Sequence, residues 1–113
     1  MLCSHRTAVI ALRFVMLAAL VTSGVAAAAD QDVPAMLEKY RCTICHSDRE
    51  TMAGPSWMDI AAEYRGKPHA EAKLAAVVKK GVHGGGPWPM PPLPEVPEAD
   101  AKRIVHYILQ QQR

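Results

Sequence analysis

Cys42-Thr43-Ile44-Cys45-His46 places two thiols three positions apart and an imidazole directly after the second. Side chains at i and i+3 lie about one helical turn apart on the same side. Each thiol can add to one of the two vinyl groups of a haem, giving two thioether links, and the histidine that follows is aimed at the iron. Cys-x-x-Cys-His is the attachment pattern for covalently bound haem. Two other chemistries use paired cysteines. A thioredoxin-like redox site needs an alternating strand and helix pattern, which this chain lacks. A structural zinc site needs four ligands. Cys42, Cys45 and His46 supply three of these only with awkward geometry, and the chain has no second cysteine pair.

A haem iron held by His46 has a second axial position. A thioether there favours reduced iron and raises the potential. Met36 is too close in sequence to His46 to reach the opposite haem face. Met52 lies in the loop after the motif, and Met58 sits beside Trp57. Met90, in Pro89-Met90-Pro91-Pro92, comes 44 residues after His46. Methionine is commonly core filler. At Met90 that explanation is weak, because flanking prolines exclude a packed helix and hold one side chain at little entropic cost. His69, His83 and His106 sit near helix ends or on polar faces, where a solvent-exposed histidine is the plain expectation.

Helical elements must position these groups. Asp32 and Pro34 mark a helix start. Val33, Leu37, Tyr40 and Ile44 follow helical spacing, which predicts a first helix over about 33–46. Gly54-Pro55 closes a polar loop. Ser56 with Asp59 forms a capping box for a second helix whose stripe is Trp57, Ile60, Ala61 and Tyr64; Gly66 and Pro68 stop it. A third helix is expected over about 69–80, with Leu74, Val77 and Val78 inward and Lys79 and Lys80 at its C-terminus. Gly81 ends it. Residues 81–97 hold four Gly and six Pro, which no helix or central strand tolerates. Proline makes the segment stiff, and Trp88, Met90 and Leu93 lie within it. The last helix starts near Pro97 with Glu98 and Asp100 in its first turn. Ala101, Ile104, Val105 and Ile108 form its apolar face; Lys102, Arg103, His106 and Gln110 face water. There is no convincing strand and no internal repeat, so the fold class is all-α.

The chain has 113 residues. Arg6 and Arg13, an apolar run from Phe14 to Val21, and Ala27-Ala28-Ala29 before Asp30 have the plan of a secretory signal peptide. The run from Phe14 to Ala29 is too short and too poor in strongly apolar residues for a membrane span. Residues 1–29 are expected to be cleaved, leaving 30–113 as one small domain. Cleavage removes Cys3, Arg6 and Arg13, so the two motif cysteines remain and acids balance bases. The formal charge of +2 is therefore no argument for nucleic acid or for an anionic membrane. A domain this short is marginal alone and needs a staple, which a covalently held macrocycle provides. Export fits, because covalent haem attachment is handled outside the cytoplasm in bacteria.

With these pieces in place, the chain resembles the small bacterial class I cytochromes c of the c-551 type. Cys42-x-x-Cys45-His46, Gly54-Pro55, Pro89-Met90-Pro91-Pro92 and the amphipathic last helix carry the resemblance, which covers essentially all of 30–113. It implies a cytochrome c fold, with about four short helices wrapped around one covalent haem c and a Pro/Gly-rich ligand loop. It implies His46 and Met90 as axial iron ligands, Cys42 and Cys45 as the thioether links, and the Pro55 carbonyl as acceptor of the His46 ring N–H. Trp57 and Trp88 are expected against the cofactor, and the first and last helices are expected to cross. In the family an aromatic residue often precedes Gly-Pro and then Pro-Met. Here the stretch reads His83-Gly84-Gly85-Gly86-Pro87-Trp88, which makes both His83 and Trp88 candidates for hydrogen bonds to the propionates.

The expected function is that of a periplasmic monohaem electron carrier, not an enzyme. Its partners would be a transient redox donor and acceptor, and it would be monomeric, with no stable membrane insertion after cleavage. Lys67, Lys73, Lys79 and Lys80 form either a docking patch for an acidic partner or a solvated helix face. The rival readings are a haem-based ligand sensor or small peroxidase with a displaceable sixth ligand, and a zinc-binding export module.

Overall fold

The computed structural model describes residues 32–84 and 88–112. The signal read at 1–29 lies outside the described residues, as do Gly85, Gly86 and Pro87 of the ligand loop. Among the described residues four α-helices follow in order: α1 Val33–Lys39, α2 Trp57–Tyr64, α3 Ala70–Lys80 and α4 Glu98–Leu109, with a 3₁₀ turn at Cys42–Ile44 between the first two. The sole β-type pairing among the described residues is an isolated antiparallel bridge between Val82 and Met90. The chain is all-α, as expected.

The C-terminal helix organises the rest. Pro97 precedes its first turn, Glu98 and Asp100 lie in that turn, and Ala101, Ile104, Val105 and Ile108 are all buried. This stripe splits into two cores. Ile104 and Ile108 pack with Val33 and Leu37 of α1 and with Trp57 of α2. Ala101 and Val105 pack with Ala75 of α3 and with Val96 from the loop. Tyr40 borders both cores, and its hydroxyl donates to Asp100 Oδ2 at 2.6 Å, tying α1 to α4. Full burial is worth roughly 1.5–3 kcal/mol for each Val or Ile. The exposed pairs Lys67–Glu63 and Lys102–Glu98, at 3.6 and 3.5 Å, contribute only about 0.3–0.5 kcal/mol each. The cores, not the surface charges, fix how the helices cross.

The first helix is shorter than its periodicity predicts. It stops at Lys39, and Arg41 takes a left-handed conformation with φ of 60°. A left-handed residue just past the C-cap is a common helix stop, though glycine usually fills it. Here the Arg41 N–H donates to Glu38 O and the Tyr40 N–H to Met36 O, both at 3.0 Å. The Cys-x-x-Cys segment is thereby released from α1 to form its own turn. Asp32 stands at the N-cap without a side-chain capping bond; its Oδ2 lies 3.8 Å from Arg103. Arg103 is therefore half-buried and paired, where the sequence had placed it in water. In α3 the buried positions are Ala70 and Ala75, while Leu74 and Val78 pack from the edge. His69, in place of the expected first helical residue, is a left-handed N-cap with φ of 59°.

Candidate functional site

The Cys42–Ile44 turn is closed by Cys45 N–H donating to Cys42 O at 3.2 Å and by His46 N–H donating to the same carbonyl at 3.1 Å. Cys42 opens this 3₁₀ turn and Cys45 caps it, so both thiols belong to one turn. Neither is in a disulfide. Cys42 packs against the α1/α2/α4 core. Burial pushes its thiol above the ordinary range, a backbone hydrogen bond opposing this in smaller part.

The residues after the motif lock His46 in place. A helix leaves its first four N–H groups without intrahelical partners. In α2 the Trp57 N–H donates to Ser47 O at 2.9 Å and the Met58 N–H to Asp48 O at 3.2 Å. Ser56 completes the cap: Asp59 N–H donates to its Oγ at 3.1 Å, and that hydroxyl donates to Asp59 Oδ2 at 2.8 Å. The chain just after His46 is thus bolted to the N-terminus of α2. The intervening loop is tied by Gly54 N–H donating to Cys45 O at 2.8 Å.

The His46 side chain is 8% exposed. Its Nδ1–H donates to Pro55 O at 2.7 Å, and its ring stacks on Trp57 with centroids 4.6 Å apart and planes 22° apart. A Cβ on Gly54 would fall 2.8 Å from Nδ1 and 2.9 Å from Nε2. Glycine is therefore required there by contact with the ring, although its φ is ordinary. In the sequence Gly54-Pro55 was a turn signal and part of the family resemblance, which put the Pro55 carbonyl on the imidazole but gave no reason for the glycine itself. The carbonyl of Pro55 fixes the tautomer, leaving Nε2 as the lone-pair nitrogen with no hydrogen bond among the described residues.

The second region lies at the far end of α3. Gly81 stops that helix with φ of 72°. A Cβ there would lie 2.5 Å from Met90 O and 2.7 Å from Pro92 N. Val82 N–H donates to Met90 O at 2.9 Å, and Leu93 N–H donates to Val78 O at 3.1 Å. Met90 is half-buried, and its backbone is fixed against the C-terminus of α3. Trp88 is 71% exposed. Of the other methionines, Met52 is exposed, Met58 is half-buried on α2, and Met36 packs on the first core. His69, His83 and His106 are all exposed.

The donor set fits a covalently held haem: two cysteines of one turn that form no disulfide, and a buried imidazole whose one free nitrogen is preset by its partner on the other. The sequence matches the cytochrome c family over residues 28–112. The chain belongs to the cytochrome c family. This cytochrome is similar to cytochrome c-551 of Allochromatium vinosum, 44% identical over 75 residues, which covers 66% of this chain and 80% of that protein. Cytochrome c-551 of Pseudomonas aeruginosa is 35% identical over 82 residues, covering 72% and 78%. The crystal structure of Nitrosomonas europaea cytochrome c552 superposes with a TM-score of 0.67 at 38% identity, over 70% of this chain and 99% of that one. These likenesses make it a small class I cytochrome of the c-551-like kind, with one covalent haem c, acting as an electron carrier rather than an enzyme. No helix among the described residues is long and apolar enough to cross a membrane.

Proposed function

We propose that this cytochrome is a periplasmic one-electron carrier in which His46 and Met90 are the axial iron ligands. The observation that supports this most is the His46 ring. It is buried, stacked on Trp57 and committed through Nδ1 to Pro55, so that only Nε2 remains to bind metal. Cys42 and Cys45 are the thioether anchors, and Trp57 and Trp88 are the aromatic contacts to the macrocycle. Bound haem supplies a centre that gains and loses one electron. The chain's own residues close it: His46 from the bolted turn and Met90 from the proline loop leave no coordination position for substrate. Little rearrangement then accompanies the change of charge. Residues 1–29 are a cleaved secretory signal, and 30–113 form the mature, monomeric domain. With acids and bases balanced in that domain, long-range steering is modest, which suits brief encounters with a redox donor and an acceptor.

Carbon monoxide tests the ligand assignment. Reduced wild-type protein is expected to resist it, and Met90→Ala to bind it readily and to lose the methionine-to-ferric-iron charge-transfer band. Rapid binding by the wild type would instead support a ligand sensor with a displaceable sixth ligand. The mass of the exported protein reports cleavage after residue 29.

A further inference from the structure

Between Gly81 and Pro97 the chain is short of hydrogen-bond donors by composition. Its six prolines carry no N–H, while every residue keeps a carbonyl acceptor. Among the described residues, the Leu93 N–H is spent on Val78 O and the Val96 N–H on Leu93 O, at 3.1 and 3.2 Å. The carbonyls of Pro94 and Val96 find their donor outside the loop. Lys79, in the last turn of α3, places Nζ 2.7 Å from Pro94 O and also donates to Val96 O. Val96 is itself wholly buried between α3 and α4. On the other flank, Gly81 brings its backbone flush against Met90, Pro91 and Pro92.

We infer that Lys79 is a positioning residue for Met90: its ammonium fixes the segment just after Met90-Pro91-Pro92, so that the methionine stays on the iron. The inference rests on the reading of Met90 as sixth ligand. An ammonium is a compact group with three donors, able to bridge two carbonyls that no proline amide can reach. Hydrogen bonds from an ionised donor are roughly twice as strong as neutral ones. Lys80, next in the chain, is exposed and makes no such contact among the described residues. Lys79 is therefore structural, and it leaves the set of cations available to an acidic partner.

The test compares Lys79→Met, Lys79→Arg and Lys80→Met as haem-loaded proteins. Three quantities are read: the charge-transfer band, the affinity of the ferric protein for added imidazole, and amide exchange at Leu93. Lys79→Met is expected to raise imidazole affinity about tenfold, equivalent to about 1.4 kcal/mol. It should also weaken the band and speed exchange at Leu93. Lys79→Arg keeps a multiple donor and should recover most of the change, while Lys80→Met should match the wild type. Unchanged imidazole affinity and exchange in Lys79→Met overturn the inference. So does an equal effect from Lys80→Met, which would indicate surface charge alone. If Lys79→Met does not mature, Lys79→Gln is read in the same way. The two readings fail separately. A band that survives Met90→Ala removes the ligand assignment, and with it this inference. A band lost in Met90→Ala but untouched in Lys79→Met, with wild-type imidazole affinity, removes only the role of Lys79.

Discussion

The turn that carries His46 satisfies its polar groups from neighbours in sequence, whereas the loop that carries Met90 is tied back to the helix before it, accepting from Lys79 and donating to Val78 O. Around His46 the partners Cys42, Ser47, Asp48, Gly54, Pro55 and Ser56 all lie within ten residues, and the ring rests on Trp57. Around Met90 the partners are Val78, Lys79, Gly81 and Val82 on one side and Val96 on the other. The first region is anchored in the core that α1, α2 and α4 share, and the second in the core between α3 and α4. One side of the site is thus fixed by local chain geometry, while the other follows from how α3 docks on α4. Damage to α3 should reach Met90 while sparing His46.

The largest blow to the His46 side is Trp57→Ala. It removes a buried indole from the first core and the surface on which the imidazole rests. A loss of about 3–5 kcal/mol is expected, measured by denaturant unfolding of the haem-loaded protein, with the α3 amides still protected at low denaturant. A matched pair of glycine changes sharpens the contrast. Gly54→Ala forces a methyl into the imidazole, at about 1–3 kcal/mol for overpacking. Gly81→Ala forces a non-glycine residue into a region essentially reserved for glycine and against Met90 O, at about 1–3 kcal/mol for the strain. In nuclear magnetic resonance spectra Gly54→Ala should move the His46 ring signals and Gly81→Ala those of the Met90 methyl. If both variants move both sets equally, the two sides are not independent. The smallest change is Ser56→Ala, which deletes the cap of α2 for about 1 kcal/mol. It should lower the melting temperature without shifting the charge-transfer band.

Legibility in the sequence followed the same division. The capping box at Ser56 and Asp59, the stop at Gly81 and the buried stripe of α4 are short-range patterns, and each stands where the sequence placed it. The end of α1 was not legible. An arginine at positive φ has no sequence signal, and the apolar spacing of Tyr40 and Ile44 continued a helix that the backbone had already left. Ile44 is in fact exposed. The burial of Val96 was equally hidden, since a lone apolar residue between Glu95 and Pro97 has no periodicity to reveal it. Lys79 looked like any cation in a last helical turn. Its partners are carbonyls 15 and 17 residues away, brought near only by the fold. Lys67 was likewise read as a possible docking charge, yet it lies beside Glu63 and over the ring of Tyr64.

The burial of Cys42 bears on the order of assembly. The half-buried residue packs against the core of Val33, Leu37, Trp57, Ile104 and Ile108, and burial pushes its thiol above the ordinary range. Thiolate is the more reactive form of a cysteine, and a thiol packed in a core is hard to approach. A chain that folded first would therefore offer one of its two anchoring sulfurs poorly. Attachment to an open chain, before α4 closes over α1, would avoid that obstacle, and the completed links would then help to draw the helices together. Maturation by this route runs from covalent chemistry to packing, so a delay in attachment would be felt as a failure to fold.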